Sequence, residues 1–360
     1  MSCPYRPDAS PKEQAVVRGK EEYYGRYLRL SELLQLQTPA SKAEDEGLFI
    51  ITHQSHELWF KQFLSELDHI RTILSEPIVS DPGLARATQL LGRMQQILNV
   101  LRDSLAVLET MTPMEFLDFR DLLVPASGFQ SVQFRKIEIA LGLTVTPKSL
   151  SALSPEDQAE LLPSLPSLID LAESWLERTP SLNASFDWQI QYRRAVDEML
   201  NRDEALIRRS LPLERQETEL KNLEMTRSNF QTIFDTTAHE DLMSRGLRRF
   251  SQKAILNAVF IFLYRDRPLL QMPFLFLQGI LDVEDALTGW RQRHVQLANR
   301  MIGSRIGTGA SSGADYLMRT TLPVNRVFTD LRNLSSFLIP RTAIPRLPDA
   351  MEHSLSFSKP

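Results

Sequence analysis

Six histidines, at 53, 56, 69, 239, 294 and 353, are the residues through which this 360-residue chain could hold a metal or move a proton, and two of them stand on apolar helical faces. His53 lies in FIITHQSHELWFKQ (Phe49 to Gln62), one turn after Phe49 and one turn before Glu57, so these three share a face at i, i+4 spacing. His294, in WRQRHVQLA, has Trp290 one turn before it and Leu297 and Ala298 one turn after. Taken singly, each reads as a core histidine satisfied by a carbonyl or carboxylate, because a buried imidazole needs a partner. A helix-borne histidine on an apolar face is also what a proximal haem ligand requires, and the pair leaves open a cofactor sandwiched between helices. His53 and His56 could reach one metal at i, i+3, but the HExxH spacing of zinc hydrolases is missing. Cys3 is the single cysteine, so a cysteine-rich zinc or iron–sulfur site and an intrachain disulfide are excluded. His56 and His69 are expected near the helix surface, and His239 and His353 in polar surroundings.

Arg120 follows Phe116 by one turn in EFLDFRD. Its default partner is a neighbouring aspartate, but an arginine beside aromatics could instead clamp a carboxylate with its planar fork. Gly307 to Gly313, GTGASSG, lacks the Lys-Ser/Thr ending of a P-loop and follows a helix rather than a strand. It reads as a loop that brings backbone groups and Thr308 or Ser312 close to a small ligand.

The elements that must position these residues are helices. Nearly every periodic segment has helical spacing, and Asn-Gly or Asp-Gly hairpin signals are absent, so the fold class is all-α. Helices are expected at Tyr23 to Leu36, Glu46 to Leu74, Gly83 to Glu109, from Pro113 to before Pro125, and from Phe129 to Leu141 with Gly142 as terminator. Further ones are expected at 167–177, 188–209, 215–235, 251–264, 269–281 and 283–302. Thr112-Pro113-Met114-Glu115 combines a capping threonine, a first-turn proline and a capping-box glutamate. Ser251, after Arg248-Arg249-Phe250, reads as an N-cap. The charged middle helices form a peripheral part.

A net charge of −4 with no concentrated basic surface argues against a nucleic-acid binder. The most apolar window, Ala254 to Tyr264, is about half the ~20 residues a membrane span needs. No targeting signal is visible at the N-terminus, and a reducing compartment, the cytoplasm, fits the cysteine usage.

Taken together, five stretches resemble the tryptophan 2,3-dioxygenase family in order and spacing: YGRYLRL from Tyr24, the FIITHQSHELWFKQ helix, Met111 to Arg135, WLERTP from Trp175, and Trp290 to Gly313. LSSFLIPR, Leu334 to Arg341, is similar to the animal-type members, and the resemblance covers about Tyr23 to Pro348. It implies an all-α bundle enclosing a b-type haem, ferrous when active, with a small peripheral helical subdomain. It implies a homotetramer and the conversion of L-tryptophan and O2 to N-formyl-L-kynurenine. Carried over by position, His294 matches the iron's axial ligand and His53 the distal residue that meets the indole N–H. Phe49 and Phe116 match walls of the indole pocket, Arg120 the carboxylate partner, and Thr308 the residue near the ammonium group. Ser127 is placed to hydrogen-bond near the haem. Tyr24, Tyr27 and Leu28 match a segment that reaches a neighbouring subunit's site. The chain departs from the usual pattern at Ala310, where the loop has glycine, and at His56, where tyrosine is frequent.

The expected organisation is a disordered arm over 1–22, one all-α haem-dioxygenase domain over 23–348 with 143–240 peripheral, and a tail over 349–360. Two other readings stay open: a haem monooxygenase of the same superfamily acting on an indole or aromatic amino acid, and a haem-free helical interaction protein.

Overall fold

The computed structural model describes residues 23–144, 150–151, 153–161, 165–178, 187–303, 317–318, 320–322 and 325–356, and among the described residues all regular structure is helical. In place of one amphipathic helix over Tyr23 to Leu36 there are two short turns, α1 (Tyr24–Tyr27) and α2 (Leu30–Leu33), separated by Arg29 at φ +52°. Neither buries a residue. Without a packed face, so short a segment has little to offset the entropy of helix nucleation.

The two long apolar stripes form α3 (Glu46–Ser75) and α4 (Asp81–Leu108), which pair through a five-residue connection. Phe63, Leu67, Ile70 and Leu74 on α3 meet a facing stripe that includes Leu90, Leu91, Met94 and Leu98 on α4, all buried. Ser80 caps α4 by accepting from Gly83 N. α5 (Pro113–Arg120) begins with the reciprocal capping box the sequence specifies: Thr112 Oγ1 accepts from Glu115 N, and the Glu115 carboxylate accepts from Thr112 N at 2.6 Å. α6 (Val132–Leu141) ends at Gly142, whose φ of +116° and approach to Ile169 exclude a side chain: a Cβ there would sit 2.4 Å from Ile169 Cγ2.

After a short α7 (Pro155–Ala159), α8 (Leu168–Arg178) packs onto α3, α6 and the nearly all-buried α12 (Gln252–Leu263). Ser251 caps α12, accepting from Ala254 N. Asn257, the one polar interruption of its apolar run, donates to Leu176 O at 2.7 Å. Between them, α9 (Trp188–Ser210) and α10 (Leu213–Phe234) pair as a charged hairpin followed by α11 (Thr236–Ser244). Trp188 and Tyr192 root the hairpin, stacking at 4.7 Å with Phe260 edge-on to Trp188 at 5.3 Å.

Separate helices were expected over 269–281 and 283–302; they are one 35-residue helix, α13 (Pro268–Ile302). Leu281-Asp282-Val283 contains no glycine or proline, and the buried stripe Leu277, Ile280, Val283, Leu287, Trp290 runs through it without a phase change. Pro273 falls early in the helix, where it removes one hydrogen bond without ending it. Gly279 lets α13 lie close on α4, since a Cβ there would sit 3.2 Å from Leu91. Glu284 accepts from Val327 N and Phe328 N, tying the segment before α14 (Thr329–Asn333) to α13, and α15 (Asp349–Ser354) closes the described chain. One hydrophobic cluster runs from Phe60 to Met351. No described helix is long and apolar enough to cross a membrane.

Candidate active site

α3, α5, α6 and α13 converge on a cavity of about 260 Å³ with mostly apolar walls. His53, His56 and Phe60 face it from α3, Phe116 and Arg120 from α5, Phe134 and Arg135 from α6, and Trp290 and His294 from α13. Ser127 contributes from the turn between α5 and α6, where its hydroxyl accepts from Phe129 N at 3.4 Å. The two histidines that the sequence separates by 241 positions (294 − 53) thus line one space. Phe49 stands behind that surface: its ring lies 4.1 Å from His53, 5.7 Å from Phe116 and 5.6 Å from Phe119, so it fixes the distal wall. Arg120, at the end of α5, is 15% exposed and meets Asp121 at 3.5 Å, a long pairing.

The helix backbone sets the tautomers of α3. His53 Nδ1 is 2.8 Å from Phe49 O and His56 Nδ1 is 2.8 Å from Thr52 O. A carbonyl only accepts, so the His53 Nδ1–H donates and its neutral ring carries the lone pair on Nε2, whereas the His56 ring has the Leu101 carbonyl as a second backbone partner. Desolvation lowers the pKa of both rings, against the pull of those carbonyls and of Glu57. His53 is accessible from the cavity yet crowded by protein, which is why an exposed ring still loses its proton readily. His294 is pushed down to about 4, first by burial and then by His53 and His56. Among the described residues no hydrogen bond engages its ring, and Trp290 packs on it at 5.6 Å. A neutral imidazole with an uncommitted nitrogen, in a cavity walled by Phe60, Phe134, Trp290 and Leu297, fits a flat, largely apolar prosthetic group held through one axial nitrogen. Among the described residues no group of three or more His, Cys, Asp or Glu side chains is placed to hold a metal ion.

Three features escaped the sequence reading. His56 is buried at 8% and lines the cavity instead of lying near the surface. Three residues along a helix rotate a side chain only about 60° from its start, and α3 is covered by Trp290 on that side. Glu138 bridges two buried arginines on the cavity wall, Arg135 at 2.5 Å and Arg291 at 2.7 Å. The hint was Arg135 and Glu138 at i, i+3 inside an apolar period, FRKIEIAL, which a solvated face does not require. His239 is also buried, far from polar solvent, with Phe250 O and Arg248 as partners.

The remaining candidates lie elsewhere. Tyr24, Tyr27 and Leu28 are 75%, 62% and 40% exposed and do not reach this cavity. Thr308, with the whole GTGASSG loop, lies outside the described residues; Leu317 and Thr320, just beyond it, line the cavity. His69 and His353 are exposed.

The sequence profile described as tryptophan 2,3-dioxygenase matches residues 10–338. The tryptophan 2,3-dioxygenase of Bdellovibrio bacteriovorus is 42% identical over 93% of this chain and 98% of its own length. That of Mayetiola destructor is 40% identical over 99% and 97%. The Dictyostelium discoideum enzyme of the same name is 39% identical over 97% and 91%. Identity is therefore level across a bacterium, an insect and a slime mould, and with the match running through every helix that builds the cavity, the chain belongs to the tryptophan 2,3-dioxygenase family.

Proposed function

We propose that this chain uses haem b to open the indole C2–C3 bond of L-tryptophan with O2, giving N-formyl-L-kynurenine, the first step of tryptophan breakdown through kynurenine. The observation that carries the site assignment is the pair of neutral imidazoles, His53 and His294, on one aromatic-walled cavity with Arg120 beside them. Both oxygen atoms of O2 enter the product, so the reaction balances without an external electron donor.

His294 would hold the iron through a neutral ring nitrogen. Bound in the ferrous state, the haem supplies activation of dioxygen toward a closed-shell indole, while the protein supplies orientation and electrostatics. The substrate needs three fixed points. Arg120 offers a guanidinium to the carboxylate, Thr308 is assigned to the ammonium group, and His53 presents the Nε2 lone pair as acceptor for the indole N–H. Because Phe49 O holds Nδ1, His53 cannot turn this acceptor away without losing a hydrogen bond. Phe116, braced by Phe49, covers a flat face of the ring and excludes water. Ser127 is assigned to hydrogen-bond at the haem edge. His53 orients the substrate and is not an obligatory base.

The working assembly is a homotetramer in the cytoplasm. Tyr24, Tyr27 and Leu28 support this reading: they expose apolar surface from turns with no buried residue, a segment suited to completing a neighbour's site. Residues 23–348 act as one unit, with 143–240 at its periphery; the continuous hydrophobic cluster supports the single unit and extends beyond it to Met351.

The test is anaerobic reduction of the haem-loaded protein, then addition of L-tryptophan and O2 while N-formylkynurenine absorbance is followed. Product heavier than substrate by one dioxygen is expected. A gain of one oxygen atom would make the protein a monooxygenase, and a purified protein without a Soret band would remove haem chemistry altogether.

A further inference from the structure

Gln133, the second residue of α6, ties that helix to α3 beside the distal histidine. Its side-chain Nε2 donates to two oxygens of one residue, the Glu57 backbone carbonyl at 2.8 Å and Glu57 Oε2 at 2.8 Å. A carbonyl and a carboxylate both only accept, so they fix which end of the amide faces α3 and engage both of its protons. A helix carbonyl has a second lone pair, so the bond takes nothing from the α3 ladder. Among the described residues these are the only side-chain hydrogen bonds between α3 and α6.

Glu57 lies one turn after His53 on the same face of α3, both side chains line the cavity, and the Glu57 charge acts on the His53 ring. Gln133 stands outside the lining, but Ser131, Phe134 and Arg135 on either side of it belong to it. The aromatic contact between the two helices is apolar, with the rings of Phe60 and Phe134 5.4 Å apart. Apolar packing holds helices together without fixing how one slides or turns against the other, because it has no direction. A hydrogen bond does, through its distance and angle. The difference matters in a site whose task is positioning, where a misplacement of about 1 Å can cost roughly a hundredfold in rate. Phe49 O orients the His53 ring within α3. Gln133 fixes where α3 itself stands.

We propose that Gln133 is a positioning residue for His53: by gripping Glu57 at both its backbone and its side chain, it sets α3 against α6 so that the His53 acceptor meets the indole N–H. This rests on His53 being that acceptor. Gln133 touches no substrate on this account and acts through the helix that carries His53. The grip requires two donors at the end of the Gln133 side chain, which methionine matches in length and lacks. It requires only acceptors at residue 57, which glutamine still provides through its backbone and amide oxygens.

The experiment measures, by Soret titration of the reduced, haem-loaded full-length protein, the affinity for L-tryptophan and for benzothienyl-L-alanine, which has the same shape with sulfur in place of the N–H. The preference for tryptophan is expected to fall about threefold to tenfold in Gln133→Met, the worth of one neutral hydrogen bond, as it falls in His53→Ala. It should fall no further when the two substitutions are combined, and Glu57→Gln should keep the wild-type preference. A haem-loaded Gln133→Met protein with the wild-type preference, while His53→Ala loses it, would overturn the proposal and leave the role of His53 intact. A combined variant that loses more than His53→Ala alone would also overturn it, since Gln133 would then act on the indole by another route. An unchanged preference in His53→Ala would remove the role of His53 and the proposal together. If Gln133→Met did not take up haem, Gln133→Asn, a methylene shorter, decides by the same comparison.

Discussion

His239 and the cavity histidines are opposite solutions to the same problem, an imidazole taken out of water. His239 is 2% exposed with both nitrogens engaged: Nε2–H donates to Phe250 O at 2.9 Å and Nδ1 accepts from Arg248 at 3.2 Å. His53 spends only Nδ1, on the carbonyl one turn back, and lines the cavity with its other edge uncommitted; His56 also bonds the carbonyl one turn back. All of them have lowered pKa values, so perturbation alone does not separate a structural histidine from a functional one. What separates them is the account of partners. A fully engaged ring locks α11 to the start of α12, whereas a half-engaged ring holds an acceptor ready for something the chain itself does not supply.

The comparison can be broken most sharply at His294. His294→Ala should purify with haem content near zero and yield no N-formylkynurenine, and a fully active haem-replete variant would end the axial assignment. Arg120→Leu comes next: losing a charge-assisted partner for a carboxylate should lower kcat/KM by about tenfold to a hundredfold with haem content unchanged. An Arg120→Leu enzyme with wild-type kcat/KM would place the carboxylate elsewhere. His53→Ala should lower turnover by about tenfold and leave measurable product, since one neutral hydrogen bond is removed and no proton transfer depends on it; complete inactivity with haem bound would make His53 an essential base.

The structural side of the comparison is tested by His239→Phe. Abandoning the Phe250 carbonyl and Arg248 should cost about 1–3 kcal/mol of stability for each partner left unpaired, read as a lower Tm, with haem content and kcat unchanged. A loss of haem instead would give His239 a role at the cavity. The smallest effect is in pH dependence. Burial and Arg248 hold the folded His239 pKa below the ordinary 6.5, so the folded state takes up its proton at lower pH than the unfolded chain. The stability of the neutral ring is therefore complete above 6.5 and is lost as pH falls below it. Denaturant unfolding of the apoprotein should show stability declining with acid in that range, and His239→Phe should flatten the slope. His294, with a folded value of about 4, adds to the decline between 6.5 and about 4 in the apoprotein.

Local signals carried much of this molecule. The capping box at Thr112, the terminator at Gly142, the N-cap at Ser251 and the stripes of α3 and α4 are each written within one or two turns of chain, and each is found where its residues put it. The failures share a cause. Tyr23 to Leu36 has helical spacing but no surface to pack on, so it breaks at Arg29. Periodicity suggested two helices where α13 is one, because nothing between Leu281 and Val283 forces a stop.

The sequence by itself determined the all-helical class, the family, and His53 and His294 as the histidines to watch, since helix periodicity, caps and motif order are properties of short stretches and their succession. Tertiary structure alone decided which faces of those helices are inside. His56 reads as a surface residue because it lies off the His53 stripe, and His239 because its surroundings are polar, but burial is set by what packs across from them: Trp290 against His56, and Phe250 and Arg248 against His239. The same holds for Arg135 and Arg291, whose shared partner Glu138 makes their burial tolerable only once α6 and α13 are brought together.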